Sequence, residues 1–239
     1  THLGMNSDIS TFAPDSQERK LETPAERRRE KVRQTILEAA ERVFAEEGYE
    51  GLSIRRLADE IDYSPSAIYK YFASKTELVG CLKEAFFMRL VRNIESAIGD
   101  EPSSWVFVKD CTKAYVRTAM EKPHHYVAAF TPTSSQVDDC ADESELMQDE
   151  NTPSAVAFRF LCDGLRDGVA QGVFRPELDC HMAAISIAMS MHGIAKALIH
   201  EPAVFMTRAD GSQMTVEEVL EFSADQLVRG IQNPAKMQA

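Results

Sequence analysis

Between Ser53 and Phe72 the chain reads Ser-Ile-Arg-Arg-Leu-Ala-Asp-Glu-Ile-Asp-Tyr-Ser-Pro-Ser-Ala-Ile-Tyr-Lys-Tyr-Phe, and no other stretch restricts the fold as tightly. Ser53 is a residue type that caps helix N-termini, and Ile54, Leu57, Ala58 and Ile61 follow it at the helical period. A first short helix therefore buries that side and leaves Arg55, Arg56 and Asp59 outside. Asp62 tolerates the turn. Ser64 is a second cap, and Pro65 takes the first helical position, where its missing N–H costs nothing. A second helix of barely two turns then runs to Phe72. So short a helix is unstable alone, so neighbours must hold it while Ser64, Ser66, Ala67, Lys70 and Tyr71 stay exposed. A helix-turn-helix that presents small, hydroxyl and cationic side chains suits a DNA major groove.

The flanking sequence supplies the neighbours. From about Ala25 to Glu47, Val32, Ile36, Ala39, Ala40, Val43 and Phe44 share one side of a helix that Gly48 ends, and Tyr49 to Leu52 connects it to Ser53. The expected core of this three-helix unit is Ile36, Ala40, Phe44, Leu52, Ile54, Leu57, Ala58, Ile61, Ile68 and Phe72. Ser74-Lys75-Thr76-Glu77 reads as a capping box, so a fourth helix starts at once after Phe72. Residues 1–23 are polar and without periodicity, and are expected as a mobile arm. The cluster Arg19, Lys20, Arg27, Arg28, Arg29, Lys31 and Arg33 has two readings: an arm and helix start laid on phosphates, or a solvated charged face.

The net charge of −12 at first opposes nucleic acid. Resolved by region, residues 19–75 hold twelve Lys and Arg against eleven Asp and Glu, whereas residues 76–239 carry −10 and the first eighteen −3. The helix-turn-helix region is thus free to meet phosphates. Five scattered cysteines, with no C-x-x-C pair, signal neither a disulfide framework nor a zinc site and suggest a reducing, cytoplasmic setting. No signal peptide or membrane span is expected, because the longest apolar tract, Met182 to Ile199, is interrupted by Ser186, Ser190, His192 and Lys196.

The run from Ile36 to Glu60, followed by Ser64-Pro-Ser-Ala-Ile-Tyr-Lys-Tyr-Phe-Ala-Ser-Lys-Thr-Glu-Leu, resembles the TetR family of transcriptional regulators. The resemblance implies an all-α homodimer. It would comprise an arm (1–23), a helix-turn-helix DNA-binding domain (24–73) and a helical ligand-binding and dimerisation domain (74–239). It also implies a repressor on a palindromic double-stranded operator, released by a small-molecule effector. Carried over residue by residue, Ser53 falls at the phosphate-touching start of the second helix, and Arg55, Ser64, Ser66, Ala67 and Lys70 fall on groove-facing positions. Tyr69 and Tyr71 take the aromatic positions beside the backbone, and Lys75 lies at the start of the fourth helix near a phosphate. Asp62 and Tyr63 depart from the Gly-Val common in the family's turn.

Downstream, helices are expected at Lys75 to about Ile98, Ser103 or Ser104 to Glu121, from Pro123, from Pro153 to before Gly172, Asp179 to His200, and Thr215 to about Gly230. The segment 131–151 holds seven acidic residues and no basic ones, and reads as a mobile loop or acidic lid. The helix from Asp179 is apolar on two faces and needs two partners, which points to a four-helix bundle made by the last two helices of each copy. A sensor site for a hydrophobic or amphipathic effector is expected among Phe86, Trp105, Phe107, Cys111, Tyr115, His125, Tyr126, Phe158, Met189 and His192, although for any one of them ordinary core packing is the favoured reading. No cofactor or metal is implied. The alternative is a helical enzyme or ligand-binding protein with a non-functional helix-turn-helix; for the enzyme, no triad order, phosphate loop or metal spacing stands out.

Overall fold

The structure, a computed structural model, describes residues 23–97, 103–130 and 152–236. Those residues form ten α-helices: α1 (Pro24–Gly51), α2 (Ile54–Glu60), α3 (Pro65–Ile68), α4 (Lys75–Ala97), α5 (Ser104–Glu121), α6 (Pro123–Phe130), α7 (Pro153–Ala170), α8 (Cys180–His200), α9 (Pro202–Phe205) and α10 (Val216–Arg229). The fold is all-α, with two isolated bridges, Phe174 with Gln232 and Thr207 with Gln213, in place of any strand among the described residues. The chain divides into two compact units, one ending at Cys81 and one starting at Leu82.

The first unit is built by caps and a small apolar core. Thr23 and Glu26 form a reciprocal capping box at the start of α1, and Ile36, Ala39, Ala40, Val43 and Phe44 line its buried side. Gly48 adopts φ 69°, which a side chain would resist, and the chain then makes a further short turn to Gly51 before Leu52. The expected stop at Gly48 is therefore a kink with helix on both sides. Ser53 caps α2 by accepting from Arg56 N–H at 3.1 Å, and Ile54, Leu57 and Ala58 are buried. Asp62 holds the left-handed turn at φ 55°. The structure shortens α3 to Pro65–Ile68; residues 69–71 continue as turn, joined by Lys70 N–H to Ala67 O and Tyr71 N–H to Ile68 O. Ile68 and Phe72, both at 0% exposure, pin this segment at each end. At α4 the Ser74 hydroxyl accepts from Glu77 N–H at 3.0 Å, while the Glu77 carboxylate accepts from Ala73 N–H at 2.6 Å, one residue earlier than in the usual box.

In the second unit α5 is central and packs against α7, α8 and α10. Glycines on α7 allow the closest approach: a Cβ on Gly164 would stand 2.3 Å from the Phe107 ring, and one on Gly168 2.2 Å from the Phe174 ring. Beside the core, a ladder of charge joins α5 to α10. Lys109 pairs with Glu221 and Asp225, Lys113 reaches Glu221 at 3.1 Å, and Arg117 reaches Glu217 at 2.6 Å. Asp179 caps α8 through His181 and Met182 N–H. Of its two apolar faces, one buries Ala184, Ile187, Met191, Ala195 and Leu198, and the other leaves Met182 at 59% and Met189 at 70% exposure. By length and composition α8 could cross a membrane, but five of its side chains on that first face already serve the core. The loop after α9, closed by Met214 N–H to Met206 O at 2.7 Å and anchored by Arg208 to Glu218 at 2.8 Å, carried no expectation. The expected end of α4 near Ile98 and the acidic segment 131–151 lie outside the described residues.

Candidate nucleic-acid interface

In the helix-turn-helix, residues that hold the fold and residues left free alternate. Ile54, Leu57, Ile68 and Phe72 are buried, whereas Ser53, Arg55, Ser64, Ser66, Tyr69 and Lys70 are exposed and Ala67 is half-buried. Ser64 accepts from Ala67 N–H at 3.2 Å and shares a 3.0 Å hydrogen bond with Ser66. A capping hydroxyl uses its oxygen for the helix and keeps its O–H as a donor, the polarity that a phosphate or base acceptor requires.

The two neighbouring arginines of α2 separate cleanly. Arg56 donates to Glu47 and Glu60, both at 2.9 Å, and its bond to Glu60 holds that carboxyl below its ordinary range. Arg55 forms no ion pair among the described residues, and its guanidinium is available for a guanine edge or a phosphate. A similar division runs along the basic start of α1. Arg33 lies over the Phe72 ring at 5.2 Å and donates to Cys81 Sγ at 3.2 Å, so it packs α1 on α4; Arg27, Arg28, Arg29 and Lys31 are exposed.

Tyr69 is 56% exposed, while Tyr71 is half-buried with the Arg29 guanidinium 6.0 Å from its ring. Lys75 lies 3.7 Å over the Tyr49 ring, an aromatic platform that orients the ammonium at the N-terminus of α4. Sequence reasoning missed Tyr49 and the packing role of Arg33, because both depend on which residues α1 and α4 bring together. Tyr63, at 39% exposure, stands at the edge of the turn.

Of the expected sensor residues, the second unit brings four together. The Phe86 ring meets Phe87 at 5.0 Å, Tyr115 and Tyr126 at 5.7 Å and Phe130 at 6.2 Å, all edge to face. Tyr126 Oη is 2.9 Å from His192 Nδ1 and 3.0 Å from its carbonyl oxygen; Phe130 covers the imidazole at 4.5 Å. Burial raises the Tyr126 phenol to about 12 and lowers His192, with the Lys196 charge adding to the latter. Phe107 and Cys111 belong to the same buried core, and burial raises the Cys111 thiol. His125 is half-buried on α6. Trp105 stands under Arg229 at 5.9 Å and Phe158 pairs with His181 at 5.5 Å, so neither joins the aromatic cluster. Met189 is a correction: it points out of the unit, because the turn of α8 that buries Ile187 and Met191 turns Met189 away. No group of three or more metal-ligating side chains occurs among the described residues.

Residues 36–80 match the family model of bacterial regulatory proteins, tetR family. Over 46 residues the chain is 50% identical to the HTH-type transcriptional repressor AcnR of Corynebacterium diphtheriae, a stretch covering 19% of this chain and 24% of AcnR. The match thus spans about a quarter of that relative's length. A second relative, the HTH-type transcriptional repressor KstR2 of Mycolicibacterium smegmatis, is 25% identical over 170 residues, 70% of this chain and 75% of KstR2. Among solved structures, the TetR family transcriptional regulator PfmR of Thermus thermophilus superposes with a TM-score of 0.60 at 26% identity, covering 81% of this chain and 97% of that one.

Proposed function

We propose, for a chain that belongs to the TetR family, that it is a ligand-responsive transcriptional repressor that binds a palindromic DNA operator as a homodimer. The observation that carries this reading is the helix-turn-helix itself: Ile68 and Phe72 anchor its second half in the core, while Ser64, Ser66, Tyr69 and Lys70 around them are exposed. In operation α3 enters the major groove. Ser64, Ser66, Ala67 and Lys70 meet bases and phosphates, Arg55 reaches a base edge, and Ser53, Tyr69, Tyr71 and Lys75 fix the unit on the backbone. Such a protein works beside the chromosome, in the cytoplasm, and its role is regulatory rather than catalytic.

A small hydrophobic or amphipathic effector bound in the second unit releases the operator. The element able to carry the signal is α4, whose residues through Cys81 belong to the first unit and those from Leu82 to the second. Two recognition helices must match major-groove half-sites about 34 Å apart, so a shift of α4 that changes their spacing lowers affinity.

The test is selection of operator fragments from random DNA by the full chain, followed by binding titrations at several salt concentrations. One palindromic sequence is expected to be enriched, with affinity falling steeply as salt rises and Lys70→Ala weakening binding. Equal binding to all fragments overturns the reading.

A further inference from the structure

Along α1, Arg29, Arg33, Ile36 and Ala40 recur at helical spacing and share one side. Ile36 and Ala40 are buried there, and Arg33 lies over the Phe72 ring and donates to Cys81 Sγ. That side therefore faces the helix-turn-helix and the first turns of α4. Arg29 extends it by one turn beyond the core. It is exposed, its guanidinium stands 6.0 Å from the centre of the Tyr71 ring, and it forms no ion pair among the described residues. The carboxylate one turn before it, Glu26, is turned to Thr23 and accepts from its N–H at 2.7 Å. Arg27 and Lys31 lie on the opposite side of α1, where they line a shallow depression together with Glu30 and Glu38. Carboxylates share their surface, whereas Arg29 shares its own with an aromatic ring.

Resting on the repressor reading above, we propose that Arg29 is a further contact to the operator, its guanidinium holding one phosphate of the strand that Tyr71 lies beside. A guanidinium resting on a ring keeps its N–H edge free, and that edge matches two phosphate oxygens. The ring leaves the charge unneutralised and does not compete for the donors. It restricts a long side chain beforehand, so less freedom is lost when the phosphate binds. The start of α4 repeats the arrangement, with Lys75 3.7 Å over Tyr49. Helices on both sides of the recognition segment thus each supply a cation resting on a tyrosine. A phosphate contact carries no base preference, so Arg29 contributes affinity and register, not sequence choice. Arg27 and Lys31 remain solvated charges.

The test uses the full chain and the operator fragment obtained by selection. Phosphate ethylation interference is run on the wild type, Arg29→Ala and Lys31→Ala, beside affinity titrations over a range of salt. In Arg29→Ala, one ethylated phosphate per half-site that blocks the wild type is expected to lose its effect. The slope of log affinity against log salt is expected to shrink by about one per protomer, with base preference and melting temperature as in the wild type. Lys31→Ala is expected to keep both the slope and the interference pattern. An unchanged pattern and slope in Arg29→Ala, or an equal loss of slope in Lys31→Ala, overturns the proposal. A wild type that selects no operator overturns the repressor reading itself, a result distinct from intact wild-type binding that Arg29→Ala leaves untouched.

Discussion

At the residue scale, the division between Arg55 and Arg56 is the sharpest test of the interface. Arg56 joins Glu47 at the end of α1 to Glu60 on α2, so Arg56→Ala is expected to lower the melting temperature of the first unit. Arg55→Ala is expected to leave the melting temperature unchanged and weaken operator binding, with relaxed preference at one base pair; calorimetry beside DNA titrations separates the two. Asp62 offers a second check. At φ 55° its side chain is under strain that glycine lacks, so Asp62→Gly is expected to stabilise modestly and Asp62→Val to destabilise by about 1–2 kcal/mol in urea unfolding. The left-handed turn was legible in the sequence because few residue types suit it. The different roles of Arg55 and Arg56 were not, since both lie beyond the apolar face and only the position of Glu47, on another helix, distinguishes them.

Elements reveal where periodicity suffices and where it stops. The capped starts at Ser53, Ser64, Ser103, Thr152, Asp179 and Thr215 were readable from local chemistry, because a cap is satisfied within three residues. The end of α3 and the loop after α9 were not, because turns closed by backbone bonds leave little trace in side-chain pattern. Nor did pattern place Met189, which fits an apolar stripe yet faces outward. The two α7 glycines look ordinary in sequence but are required by the rings they admit. Phe107 and Phe174 are buried and cannot swing aside, so Gly164→Ala or Gly168→Ala is expected to destabilise the second unit by about 1–3 kcal/mol despite better helix propensity. The α5–α10 ladder gives a pH signature. The Lys109 and Lys113 ammoniums hold the Glu221 carboxyl below its ordinary 4.5, and Arg229 holds Asp225 below 3.8. Bonding to Thr215 N–H, with Arg208 beside it, lowers Glu218 to about 2. Carboxyls depressed in the folded state stabilise it above their unfolded values, and that contribution is lost as pH falls through the folded ones. The opening free energy of α10, taken from hydrogen exchange corrected for the intrinsic rate at each pH, is expected to be constant down to about pH 5 and to fall between there and pH 2.

For the whole molecule, the outward apolar side chains are the feature with most consequence for assembly. Met182, Met189 and Phe222 are 59%, 70% and 68% exposed on α8 and α10. A homodimer through these two helices is our reading of that surface, and it accounts for an α8 apolar enough to resemble a membrane span. Met189→Glu combined with Phe222→Glu is expected to convert a dimer to a monomer in sedimentation velocity, with helical content retained and operator affinity reduced as the second half-site is lost. A wild-type monomer at micromolar concentration would reject the assembly.

Ile68 and Phe72 fix the recognition segment from within, while Ser64, Ser66, Tyr69 and Lys70 contribute almost nothing to the core. Folding and reading thus depend on different letters of the same short word. A lineage can exchange the exposed positions one at a time, drifting to a new operator without passing through an unstable intermediate. On that account the stretch is both the most constrained part of the chain and the part with the greatest latitude to change its meaning.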